Sequence, residues 1–378
     1  MIPYGKQSID SEDVQAVVET LKSKFLTTGP RIAEFEDAVS GYVGARHSVA
    51  VSSGTAALHA SMNAAGISEG DEVIVPTITF VATANSVVYQ RGSPVFVDVD
   101  PDTLLIDCNK VEKSITNKTK AIVAVDYAGQ SCDYDRLRSI ANKYDLVLIA
   151  DSCHSLGAQY KGRNVGTLAD MTIFSFHPVK HITTGEGGMV VTDNDLYVEK
   201  MRKFRNHGIN TDSNERISRG TWYYEIDDIG YNYRITDFQC ALGSSQLQKL
   251  PEILKRRRSI AGFYDESFEN IDGVRSLKVN NDVNHAYHLY VIEVDRDRCG
   301  MNRDDVFSRL REKGVGVNVH YIPIHLHPFY QNRFKTKKGD CPNAEEAYEK
   351  ILSIPIFPDL KKEEMKYVVN AIGDVVKI

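Results

Sequence analysis

The sequence predicts an α/β fold: a large domain with a mainly parallel central sheet covered by helices, then a smaller C-terminal α+β domain. Three observations predict it. From residue 48 to 192 short apolar runs alternate with helical ones, as in strands joined through crossover helices. Those runs are apolar almost throughout, as strands buried on both faces are. At 378 residues the chain is long enough for one large domain or two of ordinary size. The alternation loosens after Gly188, and a boundary is expected near residue 250. It divides the chain into 1–250, which includes the N-terminal segment, and 251–378.

SVAVSS (48–53) reads as a strand and GTAALHASMNAAG (54–66) as the helix after it. DEVIVP then TFVATANSVVYQ, SPVFVDVD, KAIVAVDY then CDYDRLRSIANKY, and LVLIAD carry the alternation to Asp151. MTIFSF and GGMVVT end it, both short, rich in Phe, Ile, Val and Thr, and bounded by glycine or polar residues. Between these two strands a loop of His, Thr and Gly carries one lysine, Lys180. A helix near Leu196–Arg205, a polar loop to about Trp222 and a long helical stretch from Asp237 to about Ser267 follow. Beyond them AYHLYVIEV and GVGVNVHYIP read as strands, and RDDVFSRLREKG, AEEAYEKILS and KKEEMKYVVNAIG as helices. No internal repeat or low-complexity segment is present.

Hydrophobic residues make up 42% and charged residues 25%, the profile of a soluble globular chain. No apolar run nears the roughly 18 residues of a membrane span, and MIPYGKQSIDSEDV lacks the basic start and apolar stretch of a secretory signal. A cytoplasmic location and no membrane partner are therefore expected. Cys108, Cys132, Cys153, Cys240, Cys299 and Cys341 form neither a CxxC pair nor a zinc spacing, so free, mostly buried thiols and no metal site are expected. A formal net charge of -6 lacks the basic excess that binding a phosphate backbone requires, and no nucleic-acid partner is expected. The run KRRR at Lys255–Arg258 lies in a helical pattern and reads as a solvated helix face.

In such sheets ligands gather at the carboxyl ends of the strands. The residues there are Ser52 to Thr55, Pro76 to Phe80, Asp126 and Tyr127, Asp151 to His154, and Ser175 to Lys180. In SSGTAAL (52–58) a helix starts where a strand ends, so free N–H groups and the positive dipole end suit a phosphate. The same Ser and Thr also suit an ordinary N-cap. In LIADSCHS (148–155) Asp151 ends an apolar strand, where a carboxylate is costly unless paired. A protonated heterocyclic nitrogen would pair with it; capping of the next turn is the alternative. Ordinary residue preference makes Lys180 a solvated loop charge. An amine whose pKa is lowered by burial, however, attacks carbonyls and forms a Schiff base. A phosphate cradle, a buried carboxylate and a loop lysine on one sheet edge are the three groups that pyridoxal 5'-phosphate needs.

Longer motifs carry a family resemblance. FLTTGP (25–30), SSGTAAL, PTITFVATAN (76–85), VDYAG (125–129), ADSCHSLGA (150–158), FSFHPVKHITTGEGGM (174–189), RNHGI (205–209), WYYEIDDIGYNYRITDFQCALGSSQL (222–247) and VNVHYIPIH (317–325) are found in order. With them the chain resembles the sugar aminotransferases of the DegT/DnrJ/EryC1/StrS family, a branch of fold-type I pyridoxal-phosphate enzymes, from about Tyr4 to the C-terminus. VDYAG, HPVKHITTGEGGM, WYYE before GYNYR, and HYIPIH look most similar to transaminases of the pseudaminic acid pathway.

The resemblance implies roles. Lys180 would be the Schiff-base lysine and the base that moves the substrate proton. Asp151 would pair with the pyridinium nitrogen, Phe80 would stack on the ring, and His154 would lie near the cofactor hydroxyl. Gly54, Thr55 and Ser175 would hold the phosphate. Asn232 would reach it from the neighbouring subunit, so that the site would require a homodimer. Tyr4, the segment Lys24, Phe25, Leu26 and Thr27, and His320 with Tyr321 would border a nucleotide sugar. His177, His181, His325 and His327 have two readings, substrate contact or support, whereas His47, His59 and His207 read as structural. Gly185, Gly187 and Gly188 let the backbone turn tightly behind the lysine loop.

The implied reaction moves the amino group of L-glutamate to C4 of a UDP-linked 4-keto-6-deoxy-N-acetylhexosamine. The product would be UDP-4-amino-4,6-dideoxy-N-acetyl-β-L-altrosamine. Another keto sugar, of the UDP-bacillosamine or dTDP-amino-sugar kind, is the alternative acceptor. Sugar C3 dehydration, in which histidine replaces the lysine, is opposed by Lys180. A non-enzymatic regulator on the same fold is opposed by the acidic balance and the intact Lys180, Asp151 and phosphate-loop set.

Overall fold

The computed structural model describes residues 1–211, 216 and 218–376; part of the expected polar loop before Trp222 lies outside them. In chain order come α1 (Ser11–Leu21), α2 (Pro30–Val43), β1 (His47–Val51), α3 (Gly54–Ala64), β2 (Glu72–Pro76), α4 (Val81–Tyr89), β3 (Ser93–Val97), α5 (Cys108–Lys113), β4 (Thr119–Val125), α6 (Tyr134–Tyr144) and β5 (Val147–Asp151). The short β6 (Gln159–Tyr160) and β7 (Arg163–Asn164), then β8 (Met171–Ser175), β9 (Gly188–Thr192) and α7 (Asp195–Phe204) follow. After the long helix Asp237–Phe268 come β10 (Val274–Ser276), β11 (Val283–Asn284), β12 (Tyr290–Val294) and β13 (Ile351–Ile354).

The apolar runs form strands because both sheet faces are dry. Side chains alternate across a strand, and on β4 and β5 Ile122, Ala124, Leu148 and Ala150 enter one apolar cluster while Ala121, Val123, Val125 and Ile149 enter the other. The main sheet has the order β1-β9-β8-β5-β4-β2-β3. It is parallel except at β9, which runs antiparallel to both β1 and β8. One edge therefore collects Val51, Pro76, Val97, Val125, Asp151 and Ser175, together with the first residue of β9, Gly188.

The helix Asp237–Phe268 joins the two units. Cys240, Leu247, Leu250 and Leu254 pack in the main cluster, whereas Ile260, Ala261, Tyr264 and Phe268 pack with the C-terminal sheet β10-β12-β13. Position 250 lies inside this helix, beside Pro251. Ile2 bridges to Val315 in the C-terminal unit. We propose the division at 250 as a change of packing partner along one helix rather than a linker.

Three expectations are corrected. GVGVNVHYIP is no regular strand: it makes isolated bridges, Val315 to Ile2 and Asn318 to Ser353, and Gly316 N–H donates to Ile2 O at 2.7 Å, so its neighbour on one side is the N-terminal segment. AEEAYEKILS divides into a helix, Pro342–Tyr348, and β13, because ILSI is an unbroken apolar run that pairs with β12. KRRR is no solvated face. Arg257 is buried and its Nη1 donates to the carbonyls of Tyr287, His288 and Ile356, while Arg256 and Arg258 donate to those of Pro358 and His285. Irregular backbone needs donors, and these arginines supply them.

At the collecting edge, a Cβ on residue 188 would stand 2.3 Å from Ser53 O and 2.8 Å from Gly54 N. Gly188→Ala is expected to lower stability by roughly 1–3 kcal/mol through overpacking, measured by denaturant unfolding; an unchanged midpoint would show that this edge relaxes freely.

Candidate active site

The loop between β8 and β9 is wound so that its lysine faces the sheet edge. Thr184 N–H returns to Phe176 O (3.1 Å), Phe176 N–H to Gly187 O (2.9 Å) and Lys180 N–H to His177 O (2.9 Å). Gly185 supplies a positive φ of 80°, and Gly187 lies against Thr184. The Lys180 side chain is half-buried, with Nζ 3.4 Å from His288 Nε2. Burial holds this amine below the usual lysine range, Cys153 and Asp151 pull it back up, and Arg257 lowers it further.

Asp151 ends β5, 6% exposed. Thr83 Oγ1 donates to its Oδ2 at 2.7 Å and Cys153 N–H to its Oδ1 at 3.3 Å, so the carboxylate caps the next turn weakly and also faces the cavity. At the start of α3 the N-cap reading is observed, and free first-turn donors stand beside it. Ser53 is the N-cap, its Oγ accepting from Ala56 N–H at 3.1 Å, while Gly54 and Thr55 contribute first-turn N–H groups that have no acceptor within the helix.

A group of imidazoles borders the lysine. His154, His181, His288 and His320 are all buried. Burial, with Lys180 a further cause, holds His154 and His288 well below the ordinary histidine value and His320 at about 4. They are neutral at physiological pH. His154 Nε2 lies 3.2 Å from Tyr321 Oη, and among the described residues the Nδ1 atoms of His154 and His288 have no hydrogen-bond partner. The VDYAG turn brings His154 and His288 together: Gly129, at φ +107°, leaves no room for a Cβ, which would stand 2.8 Å from His154 O and 3.0 Å from His288 N.

Tyr4, Gly54, Thr55, Phe80, Asp151, His154, Ser175, Lys180, His320 and Tyr321 line one cavity of about 600 Å³. His177 lines it too. His181 binds Ala286 O, His325 is buried between Thr77 and Glu345, and His327 precedes the helix Pro328–Phe334 with no side-chain cap; none of the three lines the cavity. Lys24, Phe25, Leu26, Thr27 and Asn232 lie outside this chain's cavity; Thr27 bridges to Thr236 and Asn232 to Asn206. Thr79 and Cys153, from the strand-end stretches 76–80 and 151–154, also line the cavity; sequence reasoning missed Glu186, His288 and Asn318, which line it too, and Thr83 behind it. Thr79 and Thr83 sit within PTITFVATAN at a spacing of four, a signal that one face of a helix start was in use; AYHLY offered only a strand.

These residues fit pyridoxal 5'-phosphate. The volume suits a cofactor with a substrate, and a Cβ on Gly54 would crowd Ser175, at 3.0 Å from its Cβ and 3.1 Å from its Oγ, where a cradle for the phosphate would form. The α3 start, Asp151 and Lys180 would hold phosphate, ring nitrogen and aldehyde respectively. No group of His, Cys, Asp and Glu suited to a metal ion occurs among the described residues, and no helix among them is long and apolar enough to cross a membrane.

Comparison with known proteins agrees with this geometry. The family model described as the DegT/DnrJ/EryC1/StrS aminotransferase family matches residues 7–373. The chain is 41% identical over 378 residues to the spore coat polysaccharide biosynthesis protein SpsC of Bacillus subtilis, covering 100% of this chain and 97% of that one. Among solved structures it is similar to Helicobacter pylori PseC, an aminotransferase involved in pseudaminic acid biosynthesis, at 33% identity and a TM-score of 0.93 over 100% of this chain and 99% of that one. It is similar to Spr1654 of Streptococcus pneumoniae, described as a sugar aminotransferase in its PMP form, at 32% identity and a TM-score of 0.94 over 100% and 99%; that protein is also known in a PLP form. With a family match that spans nearly its whole length, the chain belongs to the DegT/DnrJ/EryC1/StrS aminotransferase family.

Proposed function

We propose that this sugar aminotransferase, with pyridoxal 5'-phosphate as cofactor, moves the amino group of L-glutamate to C4 of a UDP-linked 4-keto-6-deoxy-N-acetylhexosamine, forming UDP-4-amino-4,6-dideoxy-N-acetyl-β-L-altrosamine. The observation that carries amino transfer is the half-buried amine of Lys180, lining one cavity with Asp151 and the first turn of α3. The acceptor rests on the whole-length similarity to PseC and on a far wall of Tyr4, His320 and Tyr321 able to meet sugar hydroxyls.

When bound, the cofactor supplies an electron sink for the charge left on a carbon that loses its proton. Asp151 would accept a hydrogen bond from the ring nitrogen and keep it protonated. The α3 N–H groups and Ser175 would fix the phosphate, and Phe80, 54% exposed and open to the cavity, would cover the ring. Lys180 would hold the aldehyde between turnovers. Released from it, the amine would take the α proton of glutamate and in the second half return a proton at sugar C4. Enclosure by His154, His288 and Tyr321 would exclude water and hold the reacting atoms together.

Asn232 and Lys24–Thr27 would complete the partner's site in a homodimer. The exposed Trp222, Tyr223, Ile226 and Ile229, in the segment leading to Asn232, give such a contact an apolar face. A second reading keeps the chemistry and changes the acceptor: the 41% identity to SpsC favours a different keto sugar, destined for a surface polysaccharide.

With L-glutamate and the UDP-4-keto sugar, purified protein is expected to release 2-oxoglutarate and the UDP-amino sugar, and Lys180→Ala to lose roughly 10²–10⁴-fold or more in rate. Release of a single equivalent of 2-oxoglutarate per site, with this sugar left unreacted, would favour the second reading. Inactive Lys180→Ala and inactive Asn232→Ala chains, mixed so that dimers exchange, should regain activity, because one site of each mixed dimer has both residues intact; a mixture that stays dead would place Asn232 in its own chain's site. Capture of the cofactor by cofactor-free protein requires the neutral amine. Since burial lowers the Lys180 pKa from 10.5, the neutral fraction is enlarged at every lower pH. The capture rate should rise with pH and level off below that value; a rise continuing into the ordinary lysine range would contradict it.

A further inference from the structure

We propose that Thr79 and Thr83 form a hydroxyl relay that positions Asp151, aiming its Oδ1 into the cavity toward the cofactor's ring nitrogen; the proposal rests on the cofactor-binding role given to Asp151 above. Thr79 and Thr83 are 1% and 0% exposed. Thr79 Oγ1 and Thr83 Oγ1 are 2.7 Å apart, and Thr83 Oγ1 donates to Asp151 Oδ2 at 2.7 Å.

The direction of the relay follows from proton counting. A carboxylate only accepts, and a hydroxyl has one proton to give. Thr83 spends its proton on Asp151, so Thr79 donates to Thr83. A buried helical Thr or Ser ordinarily returns its proton to a carbonyl of its own helix, as Ser86 does to Thr83 O at 2.8 Å and Ser61 to Ala57 O at 2.9 Å. Thr83 instead reaches out of α4 to the end of β5. The spacing of four puts both hydroxyls on one side of the α4 start. With Oδ2 taken, Oδ1 keeps only the long contact from Cys153 N–H among the described residues, and it is free for a cationic partner. Lys180, Cys153 and Tyr321 are the other titratable groups that act on this carboxylate.

Thr79 and Thr83 are thus positioning residues, and the test needs readouts that a packing role would not move. In the cofactor-loaded protein two are measured: the dissociation constant of pyridoxal 5'-phosphate, and the pH midpoint at which its visible absorbance band titrates. Thr83→Val keeps the shape and removes the donor. It is expected to weaken cofactor binding roughly tenfold or more, the size of a hydrogen bond to a charged group. It is also expected to raise the midpoint, because a ring nitrogen that sheds its proton no longer opposes positive charge on the Lys180 nitrogen. Thr83→Ser should restore both values, and Thr79→Val should shift both in the same direction by less. Should Thr83→Val not fold, Thr79→Val against wild type decides by the same two readouts. A wild-type affinity and midpoint in the valine variants, or a lower melting temperature with an unmoved midpoint, would overturn the relay. If the wild-type protein binds no cofactor, the role of Asp151 and the relay fall together.

Discussion

How closely β9 can pass the start of α3 governs everything at the functional edge. Residue 188 pairs with Val51 on one side and Ser175 on the other, and at that point the chain crosses the Ser53 carbonyl with no space for a side chain. Because β9 inserts antiparallel between β1 and β8, the connection from Ser175 to Gly188 leaves and re-enters the sheet at the same edge. The lysine loop cannot stray from the strand ends that carry Asp151 and lead into α3. A parallel β9 would have required a crossover and would have begun at the opposite edge.

The electrostatics of the cavity follow from this enclosure. Burial lowers the Lys180 amine against the opposing pull of Cys153 and Asp151. Its imidazole neighbours are neutral for the same reason, so none competes with a substrate or cofactor anion as a counter-charge. The buried Arg257, which would otherwise dominate the region, is bound to three backbone carbonyls that shape the segment carrying His288. The amine and carboxylates that line the cavity are Lys180, Asp151 and Glu186, beside the first turn of α3.

Much of this was legible in the sequence because it rests on local signals. Strands buried on both faces leave unbroken apolar runs, and the strand-end rule then selected Ser52–Thr55, Asp151–His154 and Ser175–Lys180 before any geometry was known. What was not legible depends on which irregular segment meets which. His288 reaches Lys180 because VDYAG docks residues 286–289, through hydrogen bonds from Ala286 and Leu289 to Gly129 and Ala128; nothing near AYHLY encodes that meeting. KRRR was misread because charge runs are usually solvated, and only the tertiary structure shows carbonyls waiting for donors. The AEEAYEKILS error arose where a helix ends and an apolar strand begins with little punctuation. Asn232 and Lys24–Thr27 lie outside the cavity of their own chain.

The central claim is that Lys180 is the residue that holds the cofactor. Reducing the cofactor-loaded protein with borohydride and mapping the modified peptide by mass spectrometry tests it most directly. The account predicts one phosphopyridoxyl group per chain, on the peptide FSFHPVKHITTGEGGM at Lys180. Modification at another lysine, or none in protein that retains bound cofactor, would contradict it.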